Sequence, residues 1–178
     1  LISLAACCPD NWESTYKEID QPSQGSYDVE ADSVVSEGFD IVAISALTAR
    51  IYEAYELADA LRSRGVKVIL GGLHVSAMPD EASAHADAII VGEGEEAWPV
   101  LLRDFERGAL KPRYRATDYG HVPFDELPIP RYDLLPKQSY NRITLQTHRG
   151  CPWNCLFCGA SKTISEFKTK SLSRINSE

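Results

Sequence analysis

Apolar and polar residues alternate between two periods along this chain, and the switches between them mark the elements. Phe39-Asp40-Ile41-Val42-Ala43-Ile44-Ser45 is a short, nearly unbroken β-branched run, the pattern of a strand buried on both faces. Ile51, Ala54, Tyr55, Ala58 and Leu61 then recur at helical spacing. Thr48 stands where an N-cap would, and Gly65 where such a helix would end. Val66–Leu70 reads as a second strand halted by Gly71-Gly72. Pro79 suits the first turn of a short helix. Ala88–Val91 reads as a third strand halted by Gly92-Glu93-Gly94, before a helix with Trp98, Leu101, Leu102 and Phe105 on one face and Gly108 after its end.

The flanks are less regular. Residues 1–9 read as the end of an apolar helix stopped by Pro9, and Thr15–Ile19 as a short strand. Residues 20–38 are polar and turn-rich, through Gln21-Pro22-Ser23-Gln24-Gly25-Ser26, with a short helix after them. Strand, helix, strand, helix, strand, helix is the order of a parallel sheet with crossover helices. Residues 1–108 are therefore expected to form most of a doubly wound, Rossmann-like α/β domain. Residues 109–140 carry Pro112, Pro123, Pro128, Pro130 and Pro136 and read as an extended linker. Arg142–Thr147 reads as a new strand that opens a further segment, 141–178.

The chain has 178 residues, 44% hydrophobic and 25% charged, a balance that forms a core and argues against disorder throughout. Its formal net charge is -8, which argues against a nucleic-acid partner or an anionic membrane surface, since both need a basic face. No run approaches the roughly 20 apolar residues of a membrane span, and no signal segment opens the chain. It starts at Leu1, directly inside an apolar run, and is expected to be cut at both termini.

Three of the five cysteines, Cys151, Cys155 and Cys158, crowd into Arg149-Gly150-Cys151-Pro152-Trp153-Asn154-Cys155-Leu156-Phe157-Cys158-Gly159. An odd cysteine count in an acidic chain without a signal argues against a disulfide scaffold. Three close thiolates suit an iron–sulfur cluster or zinc. A structural zinc site needs a fourth ligand, and no second CxxC pair exists, with only His148 adjacent. Three thiolates without a fourth match a cubane cluster with one open iron. The third reading is three ordinary buried cysteines.

CxxxCxxC with an aromatic residue just before the last cysteine (Phe157) resembles the radical S-adenosylmethionine enzymes. The resemblance implies that Cys151, Cys155 and Cys158 hold a [4Fe–4S] cluster in the loop after the first strand of a partial (β/α) barrel. It further implies that the open iron binds S-adenosylmethionine, whose reductive cleavage yields a 5′-deoxyadenosyl radical. In front of it, Ser45-x-Leu47 followed by Gly71-Gly72 resembles the second and third elements of the cobalamin-binding fingerprint, DxHxxG, SxL and GG. Val91-Gly92-Glu93-Gly94-Glu95, Gly71-Gly72-Leu73-His74 with Pro79-Asp80-Glu81, and the linker run Pro130–Leu135 look like segments of cobalamin-binding radical S-adenosylmethionine proteins. By that resemblance Ser45, Leu47, Gly71, Gly72, Gly92, Glu93 and Gly94 bind cobalamin. DxHxxG is not found, and its strand is expected before residue 1.

His74 reads as a polar loop residue rather than a cobalt ligand, His85 and His121 as surface or linker histidines, and Cys7 and Cys8 as packing residues. The resemblance as a whole implies a cobalamin-dependent radical S-adenosylmethionine enzyme, with methylation of an unactivated carbon first and ring closure or rearrangement as alternatives. It also implies a small-molecule substrate, an electron donor such as flavodoxin or ferredoxin, and a reducing cytoplasm. The chain itself is expected not to be catalytically competent. Two other readings remain: a cofactor-binding module without turnover, and a nucleotide-binding α/β domain with a structural zinc site.

Overall fold

The structure is a computed structural model and describes residues 1–19, 26–120, 122–136, 140–153, 155–158 and 166–178. The turn-rich stretch at Gln21–Gly25, together with His121, Asn154 and Gly159, lies outside the described residues. Four strands, β1 (Ile41–Ser45), β2 (Lys67–Gly71), β3 (Ala88–Val91) and β4 (Arg113–Arg115), form one parallel sheet in the order β1-β2-β3-β4. Between them run α3 (Ile51–Ser63), the short pair α4 (Leu73–Ala77) and α5 (Pro79–Ser83), and α6 (Gly94–Glu106). Two helices precede the sheet, α1 (Ile2–Ala6) and α2 (Asp28–Ser36).

Alternation along β2 and β3 divides the core in two. Val68, Leu70 and Ile89 face α2, α3, α4 and α5, where Leu57, Ala58, Leu61, Val75 and Ala82 are buried. Ile69, Ala88 and Ile90 face α6, where Ala97, Trp98, Leu101 and Leu102 are buried and α1 adds the partly buried Leu4. Helices on both faces are what strands apolar on both faces require. The helical residues at 51, 54, 55, 58 and 61 are all buried. α3 closes where Gly65 predicts. The Gly65 and Val66 amides donate to the Arg62 and Leu61 carbonyls at 3.0 and 3.2 Å, the paired bonds of a Schellman ending.

Several expectations need correction. β1 is half-buried rather than enclosed on both faces, because it stands at the edge of the sheet, flanked among the described residues by β2 alone. Thr15–Ile19 forms no strand. Thr48 opens a 3-10 turn, Thr48–Arg50, and makes no side-chain cap. The stretch expected as an extended linker contributes β4, which pairs with β3 through Ile89↔Arg113, Ile90↔Tyr114 and Val91↔Arg115. Tyr114 is fully buried there. Its hydroxyl donates to Asp104 at 3.0 Å and accepts from the Lys111 amide at 3.0 Å. A three-residue strand centred on one aromatic has too little periodicity to show in sequence.

Arg142–Thr147 is not a strand either. The chain pairs only at β5 (His148–Arg149), antiparallel to β6 (Lys168–Thr169), after which comes α7 (Leu172–Ser177). Strand propensity becomes a strand only beside a backbone that accepts its hydrogen bonds. Among the described residues, β6 pairs with 148–149, and of the run before them the Thr147 carbonyl accepts from the Lys170 amide at 2.9 Å.

If β4 belongs to the core, Tyr114→Ala should cost about 3–5 kcal/mol, as large aromatic truncations do. Tyr114→Phe should cost about 1 kcal/mol for the lost hydroxyl bonds. Urea denaturation of both variants checks this; two neutral substitutions would place 113–115 outside the core.

Candidate functional site at the carboxyl end of the sheet

Parallel strands deliver their carboxyl ends, and the loops after them, to one edge, where α/β sheets bind ligands. Ser45 is the register partner of Gly71, so the loops after β1 and β2 start side by side. Gly72 adopts φ 100° and ψ -173°, a combination essentially reserved for glycine. A Cβ there would lie 2.6 Å from Ser45 Oγ, whereas one on Gly71 would meet nothing closer than Ile90 at 3.8 Å. The serine hydroxyl thus rests against bare backbone. Two residues on, Leu47 is 71% exposed. Ser45, Leu47, Gly71 and Gly72 therefore gather at one place.

The loop after β3 joins them through a residue the sequence reading missed. Ser76 Oγ donates to the Gly72 carbonyl at 2.8 Å and accepts from the Gly92 amide at 2.9 Å. It stands one helical turn after Gly72 in α4, an element too short to announce itself by periodicity. Gly92 and Gly94 face protein rather than open space. A Cβ on Gly92 would sit 3.1 Å from Ala116 Cβ, and one on Gly94 would sit 2.8 Å from Leu4 Cδ2.

His74 lies in the same cluster. Its Nδ1 is 3.2 Å from Thr48 Oγ1 and its Nε2 3.3 Å from Glu81 Oε1. Tyr55 also donates to Glu81, at 3.1 Å. His85 is no isolated surface histidine. Its ring stacks on Tyr55 at 4.2 Å, and Nδ1 lies 2.8 Å from Asp59 Oδ2. Beside these loops an apolar groove of about 470 Å³ follows the open edge of β1, with Ser45, Ala46 and Leu47 at one end and Val34, Leu57 and Trp98 among its walls.

Glu93 and the neighbouring Glu95 turn towards the cysteine segment. Arg149 Nη1 donates to Glu93 at 2.9 Å and Nη2 to Glu95 at 2.6 Å, while Lys168 Nζ reaches Glu93 at 2.6 Å. The buried ring of Phe124 lies beneath both cations, 5.1 Å from the Arg149 guanidinium carbon and 5.7 Å from Lys168 Nζ. Burial opposes the charge on Arg149, but Glu95 and Glu93 outweigh it and hold the guanidinium above its ordinary pKa.

Cys151 and Cys155 are exposed and Cys158 is partly buried, with the Cys158 amide donating to the Cys155 carbonyl at 3.1 Å. Among the described residues, no three histidine, cysteine or acidic side chains are drawn together as a metal site. The donor set still suits an iron–sulfur cluster, being three soft sulfur ligands on one short accessible segment. A metal centre commonly gathers its own ligands as it binds. Trp153, Leu156 and Phe157 beside them are exposed. Cys7 and Cys8 pack instead. Burial, then Glu95, pushes the Cys7 thiol up to about 12, far from a ready thiolate. Cys8 Sγ accepts from the Trp98 indole at 3.2 Å and from Ser14 at 3.3 Å. No helix among the described residues is long and apolar enough to cross a membrane.

Residues 1–102 match the B12 binding domain family. The chain is 42% identical over 125 residues to bacteriochlorophyllide d C-8(2)-methyltransferase of Chlorobaculum tepidum, covering 67% of this chain and 28% of that protein. It is 32% identical over 126 residues to bacteriochlorophyllide d C-12(1)-methyltransferase of the same organism, covering 68% and 27%. Hopanoid C-2 methylase of Rhodopseudomonas palustris is 25% identical over 163 residues, covering 89% and 29%. The chain therefore spans less than a third of the length of each of these relatives.

Gly72→Ala should destabilise the fold by about 1–3 kcal/mol, the cost of a side chain in this backbone region. Adding Ser45→Ala should return only the steric part, because the new methyl would lie 3.7 Å from Ser45 Cβ, an ordinary contact. A double-mutant cycle in urea checks the pair, and strict additivity would show that the two residues do not touch.

Proposed function

The chain belongs to the B12 binding domain family, and from that premise we propose that it carries the cobalamin site and the cluster-binding loop of a cobalamin-dependent radical S-adenosylmethionine methyltransferase. The observation that carries the reading is the Ser45–Gly72 contact. It seats the serine hydroxyl on bare glycine backbone at the carboxyl end of the sheet, where a Cβ would come within 2.6 Å of it. Support for the second half comes from the three cysteines of CxxxCxxC, which follow the sheet domain in the same chain.

In this reading the Gly71 and Gly72 backbone and the Ser45 hydroxyl line the slot for the cofactor's nucleotide tail, and Leu47 covers it from the solvent side. Gly92 holds its loop to the same edge through Ser76. Cys151, Cys155 and Cys158 supply thiolates to a [4Fe–4S] cluster. Bound together, cobalamin supplies a methyl carrier and the cluster an electron for reductive cleavage of S-adenosylmethionine. Methyl transfer to an unactivated carbon is the reaction class, supported by relatives whose names place the methyl group on numbered carbons. The substrate is then a small molecule, and the electron comes from a donor such as flavodoxin or ferredoxin. A thiolate-held, oxygen-sensitive cluster fits a reducing cytoplasm.

Anaerobic reconstitution with iron, sulfide and cobalamin tests both halves. About four irons per chain are expected, as a cubane requires, together with a cobalamin visible spectrum that survives gel filtration. Gly72→Trp should abolish cobalamin retention and leave the iron content unchanged. Cys155→Ala should do the reverse. Zinc in place of iron would sink the cluster assignment, and equal cobalamin retention by Gly72→Trp would sink the slot.

A further inference from the structure

The residues that tie the cysteine segment to the sheet form an enclosed charge network across two parts of an acidic chain. Side-chain exposures are 14% for Arg149, 10% for Glu95, 23% for Glu93 and 16% for Lys168. Enclosed ion pairs add little net stability, because desolvation offsets the attraction. What they supply is a fixed geometry, provided each charge is satisfied. Arg149 donates from both ends of its fork: Nη1 on Glu93, Nη2 on Glu95, and Nη2 also on Gln146 at 2.9 Å. The planar guanidinium bridging two carboxylates at separate positions constrains tilt as well as distance, which a lysine could not do.

Arg149 lies two residues before Cys151, and its acceptors flank Gly94 at the point where β3 gives way to α6. Lys168 approaches Glu93 from β6, the partner strand of Arg149, so both strands of the hairpin are held to one carboxylate. The buried Phe124 ring backs both cations. Resting on the cobalamin and cluster assignments above, we propose that Arg149 is a positioning residue: its bridge to Glu93 and Glu95 sets where the cysteine loop begins relative to the cofactor end of the sheet, and so sets the separation of the two cofactors.

Two variants test this. Arg149→Lys keeps one charge and loses the fork. The double variant Arg149→Met with Glu95→Gln removes a charge pair and leaves Glu93 with Lys168, so that no carboxylate is stranded and the sheet still folds. In the cofactor-free chain, amide hydrogen exchange across 148–158 should quicken roughly tenfold in the double variant, the scale of one enclosed coupled contact. It should quicken less in Arg149→Lys, and exchange within β2 and β3 should stay unchanged. In the reconstituted protein the magnetic interaction between the reduced cluster and cob(II)alamin, read from electron spin relaxation, should weaken or broaden in distribution while each cofactor is still retained. A residue that only stabilised the fold would leave that interaction unmoved.

Unchanged exchange at 148–158 overturns the proposal. So does an unchanged spin interaction with both cofactors bound. If the wild-type chain retains neither cofactor, the functional reading fails, and the exchange comparison alone decides the role of Arg149.

Discussion

Val68, Ile69 and Leu70 in β2 and Ala88, Ile89 and Ile90 in β3 are buried on both faces of the sheet, and that burial governs the rest of the molecule. A strand with no polar face cannot meet water on either side, so helices must cover both. Parallel pairing then places every carboxyl end at one edge. Ser45 meets Gly71 in register, Gly72 follows, and the loop after β3 arrives beside them. The candidate site is a by-product of this layering, finished by a glycine whose backbone no other residue adopts readily.

The second organising interaction is electrostatic. An acidic chain concentrates Arg149 and Lys168 against two glutamates and one buried aromatic ring, between the sheet domain and the cysteine segment. Trp153, Leu156 and Phe157 stay exposed there, while Arg149 and Lys168 hold the segment by directional bonds. Glu93, a cofactor contact by the resemblance, has its carboxylate committed to these cations. Gly94 likewise admits Leu4 of α1.

Legibility in the sequence followed element length and the source of the constraint. β2, β3, α3 and α6 were readable because each repeats its own pattern over several residues and buries it against neighbours of the same kind. Tyr114 was not readable as a core residue, because a three-residue strand carries one buried side chain and its partner β3 lies more than twenty positions earlier. Arg142–Thr147 carried the propensity of a strand, but among the described residues a partner backbone reaches it at the Thr147 carbonyl. β1 was apolar enough for the interior and sits at the edge, with a groove along its open side. At the site, the glycine doublet and Ser45 were visible as letters, while Ser76, which joins two loops through one hydroxyl, was visible only in space.

By itself, the sequence determined which segments are apolar, where glycine must break them, and that three cysteines lie close together along one segment. Those are local properties, set by residue type and spacing. Only the tertiary structure decided that Ser45 Oγ rests on Gly72, that Ser76 bridges two loops, and that Arg149 reaches Glu93 and Glu95 across more than fifty positions. Contacts of that kind depend on strand order and on which face each helix takes. Those are settled by the joint burial of all the strands at once, and no window along the chain contains them.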